Sequence, residues 1–251
     1  MLTPLTFGSC LMSRLLLLSS SRSGSTGYLV HAQPLIADFL GANPTPVKRV
    51  LFIPFAGVGK SFDTYLEQVR PTFVAQGVEV EGIHQADDPK AAIRDAEAIV
   101  VGGGNTFALV KRLYDADVLD TIRQCVANGT PYIGWSAGSN IAGPTLCTTN
   151  DMPIVEPTSF STLALVPFQI NPHFIAGKPD GHNGESREER LGEYLALNPH
   201  ALVVALREGT ALRREGHSLH LVGELDGLTF STNGQQELAA NSQLDHLLAP
   251  H

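Results

Sequence analysis

Apolar residues fall in short unbroken runs along the first half of the chain, each separated from the next by a stretch with helical spacing. "RLLLLSS" at 14–20 is the first run. An apolar helix is predicted over 32–40, followed by "KRVLFIPFA" at 48–56. A helix over 61–76 leads to "GVEVEGIHQ" at 77–85, and a short helix after Pro89 leads to "AEAIVVGGG" at 96–104. A helical stretch over 106–127, with a break near 115–117, leads to "TPYIGW" at 130–135. Continuous Val/Ile/Leu runs read as strands buried on both faces, and helices between them supply the cover. The prediction is an α/β fold, a parallel-rich sheet with helices on both faces.

The second half is less regular. "LALVPFQINPHF" at 163–174 and "ALVVALREG" at 201–209 read as strands. A polar loop, "IAGKPDGHNGES", and a charged helix, "SREERLGEYLAL", lie between them. Hairpin strands are expected in "ALRREGHSLHLVGE" and "GLTFSTNG", then a closing segment with apolar positions at 238, 244 and 247. With no repeat or linker, 12–251 reads as one domain. Residues 1–11 look unlike the rest and read as an extension without a role in the fold, with Met12 as the natural start.

Ligands of such sheets sit at the carboxyl ends of the strands, where "PFAGVGKS", "GGGNTF" and "WSAGSN" fall. Gly134-Trp135-Ser136-Ala137-Gly138 matches G-x-S-x-G, the nucleophile elbow that lifts a serine out at a strand-to-helix turn. The pattern is short enough to arise by chance, so its surroundings decide. A serine needs a base, and the base an orienting partner. His173 ends the run "FQINPHF", and Glu208 leaves "ALVVAL" just before Gly209. Both are placed at strand ends, His173 at the same carboxyl edge as Ser136. The plain alternatives are a half-buried histidine and a first solvated residue after a strand. "GGGN" at 102–105 lacks both G-x-G-x-x-G and a Walker lysine, which disfavours a phosphate loop. Its backbone N–H groups, with Gly104 as the candidate, could instead bind an oxyanion together with the N–H of Ala137.

Composition narrows the partners. The 251 residues are 43% hydrophobic and 17% charged with a formal charge of −8, and no basic block occurs. Nucleic acid and anionic membrane are therefore excluded as expected partners. Cys10, Cys125 and Cys147 have no metal-like spacing and read as reduced thiols of a cytoplasmic protein. The leucine run at 15–18 is too short for a signal peptide or a membrane span. His182, Glu185 and Glu189 form no recognised ligand motif, so no metal or other cofactor is expected.

"GGGNTF", "YIGWSAGSN", "TTNDMPIV", "FQINPHF" and "GHNGESREER" together resemble the peptidase E family, α-aspartyl dipeptidases whose serine peptidase family also contains the cyanophycinases. The likeness runs from about Ser13 to the C-terminus. It implies a fold similar to class I glutamine amidotransferases (flavodoxin-like) and a chain order of Ser, His, acid, which Ser136, His173 and Glu208 reproduce. In α/β-hydrolases the acid precedes the histidine. It also implies a small acidic dipeptide substrate with an N-terminal aspartate. Arg187 matches the position associated with the side-chain carboxylate, His182 and Arg190 lie nearby, and Asp151 is a candidate for the α-amino group. A cyanophycinase-like peptidase acting on β-linked Asp-Arg chains and a silent binder of acidic peptides are the alternatives. A homodimer is left open.

Overall fold

The computed structural model describes residues 13–178, 181 and 183–249. The proposed N-terminal extension, Cys10, Met12 and His182 lie outside the described residues. Strands β1 (Arg14–Leu18), β2 (Arg49–Ile53), β3 (Glu79–Gly82), β4 (Ile99–Val101) and β5 (Tyr132–Trp135) pair in parallel in the order β3-β2-β4-β5-β1. The antiparallel hairpin β8 (Ala211–Glu215) and β9 (Ser218–Val222) extends this sheet to seven strands beyond β1.

The unbroken leucine run of β1 explains itself through the pleat. Leu15 and Leu17 face one core and Leu16 and Leu18 the other. Under the first face lie α3 (Pro89–Arg94), α4 (Thr106–Asp115) and α5 (Leu119–Ala127); under the second lie α1 (Gln33–Gly41) and α2 (Phe62–Val74). All four leucines are at most 1% exposed, and full burial stabilises by about 1.5–3 kcal/mol each, an upper bound. The break expected near 115–117 occurs where Asp117 takes a φ of 53° between α4 and α5. Ser61 caps α2 by accepting from the Thr64 N–H at 3.1 Å.

The second half departs from a single sheet. Strands β6 (Gln169–Asn171), β7 (Val203–Ala205), β10 (Gly227–Ser231) and β11 (Gly234–Leu238) form a separate four-stranded sheet in the order β11-β10-β7-β6. Ile170 and Val204 face the main core, whereas Val203 and Ala205 pack under α7 (Arg187–Leu197) with Leu191 and Leu195. His173 therefore does not share a sheet edge with Ser136, as its spacing suggested. It leaves β6, whose partner β7 runs parallel to it, so His173 and Glu208 emerge side by side from one end of the second sheet. Among the described residues no helix is long and apolar enough to cross a membrane.

Candidate active site

Ser136 joins β5 to the four-residue helix α6 (Ala137–Asn140) with φ 54° and ψ −114°. A non-glycine residue rarely adopts this conformation, and it persists only where the surroundings impose it. The surroundings here are specific. The Ser136 N–H donates to the Leu18 carbonyl at 3.1 Å, and the Ser139 hydroxyl donates to the same carbonyl at 2.6 Å. The buried Tyr132 hydroxyl holds the Gly138 carbonyl at 2.6 Å. The flanking glycines are required by close approach. A Cβ on Gly134 would lie 2.5 Å from the Gly138 carbonyl oxygen, and one on Gly138 would lie 2.2 Å from that of Val101.

The Ser136 Oγ lies 2.8 Å from His173 Nε2, and His173 Nδ1 lies 2.7 Å from Glu208 Oε1. His173 is itself at positive φ, 54°. Its backbone N–H donates to the Ser19 hydroxyl at 2.9 Å, which in turn donates to the Leu206 carbonyl at 2.8 Å. One serine at the end of β1 thus fixes the second sheet against the elbow. Ser19 was not singled out from the sequence, although a hydroxyl directly after a fully buried run is a detectable signal. The Glu208 side chain is 52% exposed. A pair so open to solvent contributes about 0–1 kcal/mol to stability, so its consequence is ring orientation. Burial lowers the pKa of His31, with the Glu208 charge acting in the opposite direction. This neighbour, too, was not anticipated.

The GGGN loop lies against the serine. A Cβ on Gly103 would stand 2.9 Å from the Ser136 Cβ, and Gly104, at φ 139°, has the Ala56 carbonyl oxygen 2.2 Å from the same ideal position. Tyr65 donates to the Gly103 carbonyl at 2.8 Å, within a buried cluster in which Trp135 Nε1 donates to the Tyr28 hydroxyl at 2.9 Å. Burial raises the pKa of both tyrosines, keeping them neutral. Among the described residues, the N–H groups of Gly104 and Ala137 have no protein acceptor.

A cleft of about 150 Å³ brings Asp151, Asn171, Arg187 and Arg190 together. Ser186 and Glu189 form a capping box that starts α7 at Arg187. Burial lowers the Arg187 pKa, the nearby Arg190 lowers it further, and Asp151 acts against both. A guanidinium stays charged under such shifts. Arg187 has no hydrogen-bond or ion-pair partner among the described residues. Arg190 is 3.7 Å from Glu185, and Glu189 pairs with Lys178 at 2.9 Å. One oxygen of Asp151 is taken up at the start of α4, accepting from the Thr106 N–H at 2.7 Å, the Thr106 hydroxyl at 2.6 Å and the Thr149 hydroxyl at 3.2 Å.

A parallel-rich α/β sheet with a serine on a strained strand-to-helix turn, hydrogen-bonded to a histidine and a carboxylate, has the form of a serine hydrolase. The sequence profile described as Peptidase family S51 matches residues 15–222. Peptidase E of Shewanella denitrificans is 51% identical over 234 residues, covering 93% of this chain and 98% of the relative. Peptidase E of Pasteurella multocida is 48% identical over 236 residues, covering 94% and 100%. The crystal structure of a peptidase from an acI-B1 Actinobacterium superposes with a TM-score of 0.69 at 19% identity, covering 95% and 98% of the two chains, and shares the fold. The chain belongs to peptidase family S51, a family of serine peptidases.

Proposed function

We propose that this protein is a serine exopeptidase that hydrolyses Asp-Xaa dipeptides to free aspartate and an amino acid. The observation that carries the reading is the uninterrupted Glu208–His173–Ser136 hydrogen-bond chain at 2.7 and 2.8 Å. Ser136 Oγ attacks the scissile carbonyl while His173 Nε2 takes its proton, and Glu208 holds Nδ1–H so that Nε2 remains the acceptor. The N–H groups of Gly104 and Ala137 receive the developing oxyanion. His173 then protonates the leaving amine and, in the second half, activates the water that releases aspartate from Ser136. Arg187, cationic and without a hydrogen-bond or ion-pair partner among the described residues, supports an acidic side chain in the cleft it lines with Asp151 and Asn171.

The test is product analysis on Asp-Leu, isoAsp-Leu, Glu-Leu and a β-linked Asp-Arg peptide. Aspartate release from Asp-Leu is the expected result; preferential cleavage of the β-linked peptide would replace this reading with the cyanophycinase-like one. Glu208→Gln is expected to lower kcat by roughly 10²–10⁴-fold, less than loss of the serine, because the base survives with its tautomer poorly fixed. An unaffected Glu208→Gln enzyme would assign the orienting role elsewhere. Every step uses side chains or backbone N–H groups, so dialysis against a strong chelator should leave the rate unchanged. A loss of activity that zinc restores would contradict this.

A further inference from the structure

The cleft containing Arg187 is also lined by acceptor-bearing residues, Asn150, Asp151 and Asn171. Asn171 closes β6 and is 2% exposed. Its Nδ2 donates to the Thr148 carbonyl at 2.8 Å and to Asn150 Oδ1 at 2.9 Å, and Asn150 Nδ2 donates to the Pro172 carbonyl at 2.7 Å. The two backbone carbonyls can only accept, which fixes both amides. Asn150 must turn its nitrogen to Pro172 and its oxygen to Asn171, so Asn171 must present its nitrogen there. The consequence is a buried acceptor, Asn171 Oδ1, with no protein partner, on a residue that lines the cleft. Leaving such an atom unpaired is costly, and native structures rarely do so without a reason.

The N-terminal residue of an aspartyl peptide carries an ammonium on Cα and a carboxylate on the neighbouring Cβ. A cleft lined by Arg187 and Arg190 together with Asp151 and Asn171 fits that pair of opposite charges. The ammonium nitrogen is two bonds from the scissile carbonyl carbon, and the carboxylate carbon is three. Its acceptor should therefore be the cleft residue linked most closely to His173. Asn171 is two residues before His173, and the intervening Pro172 is held by Asn150. Asp151, by contrast, already accepts from three donors at one oxygen.

We propose that Asn171 Oδ1 accepts a hydrogen bond from the free α-ammonium group of the substrate, and that the Thr148–Asn150–Asn171 network thereby restricts cleavage to peptides with an unblocked N-terminus. The inference rests on the aspartyl-peptidase reading above. It is tested by kcat/KM for Asp-Leu and for succinyl-Leu, which differs only in lacking the amino group, using wild type, Asn171→Ala and Asp151→Asn. Wild type should favour Asp-Leu by at least roughly 10–100-fold, the value of a hydrogen bond to a charged group. Asn171→Ala should lose about that factor on Asp-Leu and far less on succinyl-Leu, so the ratio collapses. Equal losses on both substrates would mean that Asn171 only holds the loop, and overturn the proposal. Collapse of the ratio in Asp151→Asn but not in Asn171→Ala would overturn it in favour of Asp151. If Asn171→Ala does not fold, Asn171→Ser, which retains a hydroxyl for the Thr148 carbonyl, carries the same comparison. Wild type that cleaves both substrates within tenfold of each other sinks this inference alone; wild type inert on Asp-Leu sinks the aspartyl reading as well.

Discussion

Ser136→Ala is expected to fold normally and to lose turnover by ~10⁴–10⁶-fold, and His173→Ala to be about as inactive, because such groups fail as a unit. Folding should survive because neither side chain holds the scaffold. The Ser136 hydroxyl meets His173, while the elbow is fixed by the Ser136 N–H and by Ser139 and Tyr132. His173 is 36% exposed at its side chain, and its backbone bond to Ser19 does not involve the ring. Alanine at 136 inherits the positive φ at no greater cost than serine. The informative variant is the double one. If nucleophile and base act in one step, Ser136→Ala/His173→Ala should be no slower than either single change, with the residual rate coming from the oxyanion donors and binding. Circular dichroism and thermal unfolding check the fold, and kcat/KM on Asp-Leu checks the chemistry. More than a few per cent of wild-type activity in Ser136→Ala, with contamination excluded, would remove Ser136 from the mechanism.

The part of this site that could be read from sequence is the part built on long, strongly patterned elements. Four of the five parallel strands, β1, β2, β4 and β5, announce themselves because strands buried on both faces have no polar alternation to confuse them, whereas the edge strand β3 alternates exposed glutamates with buried residues. Gly134 and Gly138 are legible as an elbow because no side chain fits at either position: an added Cβ would lie 2.5 and 2.2 Å from backbone carbonyl oxygens. The second sheet was not separable from the first. Its paired strands "QIN" and "VVA" are three residues each, and which sheet such a short apolar segment joins is decided by pairing partners distant in the chain. For the same reason the residues that join the sheets were missed. Ser19 acts through His173, 154 positions away, and Asn171 through Thr148 and Asn150, partners that no local pattern in the chain identifies. Arg187 was placed by resemblance. The structure adds the capping box that positions it and a cleft in which its charge is unmatched by a direct partner among the described residues.

The demand for aspartate should be strict and should depend on that charge. Wild type is expected to cleave Asp-Leu with a kcat/KM roughly 10⁴-fold above Asn-Leu. The aspartate carboxylate is short and its position relative to the scissile carbonyl is confined, so one planar guanidinium can grip it with two charge-assisted hydrogen bonds. Asparagine has nearly the same shape but no charge, and its binding would leave a partly buried Arg187, opposed by Arg190 and offset only by the more remote Asp151, without a directly bonded counter-ion. That mismatch is costlier than any packing difference, because desolvating an unpaired cation outweighs what a neutral amide returns. Glutamate keeps the charge but adds a methylene, so seating its carboxylate on Arg187 should draw the carbonyl away from Ser136 and lower kcat more than it raises KM. Lysine at 187 would keep the charge without the planar fork, so Arg187→Lys should lie between wild type and Arg187→Ala on Asp-Leu. In Arg187→Ala the preference for Asp-Leu over Asn-Leu should shrink mainly through loss on the aspartyl substrate. The measurement is kcat/KM for Asp-Leu, Asn-Leu and Glu-Leu with all three proteins. Comparable rates on Asp-Leu and Asn-Leu in wild type would end the aspartate-specific reading. A strong preference that survives in Arg187→Ala would keep that reading and move the cation to Arg190 or His182.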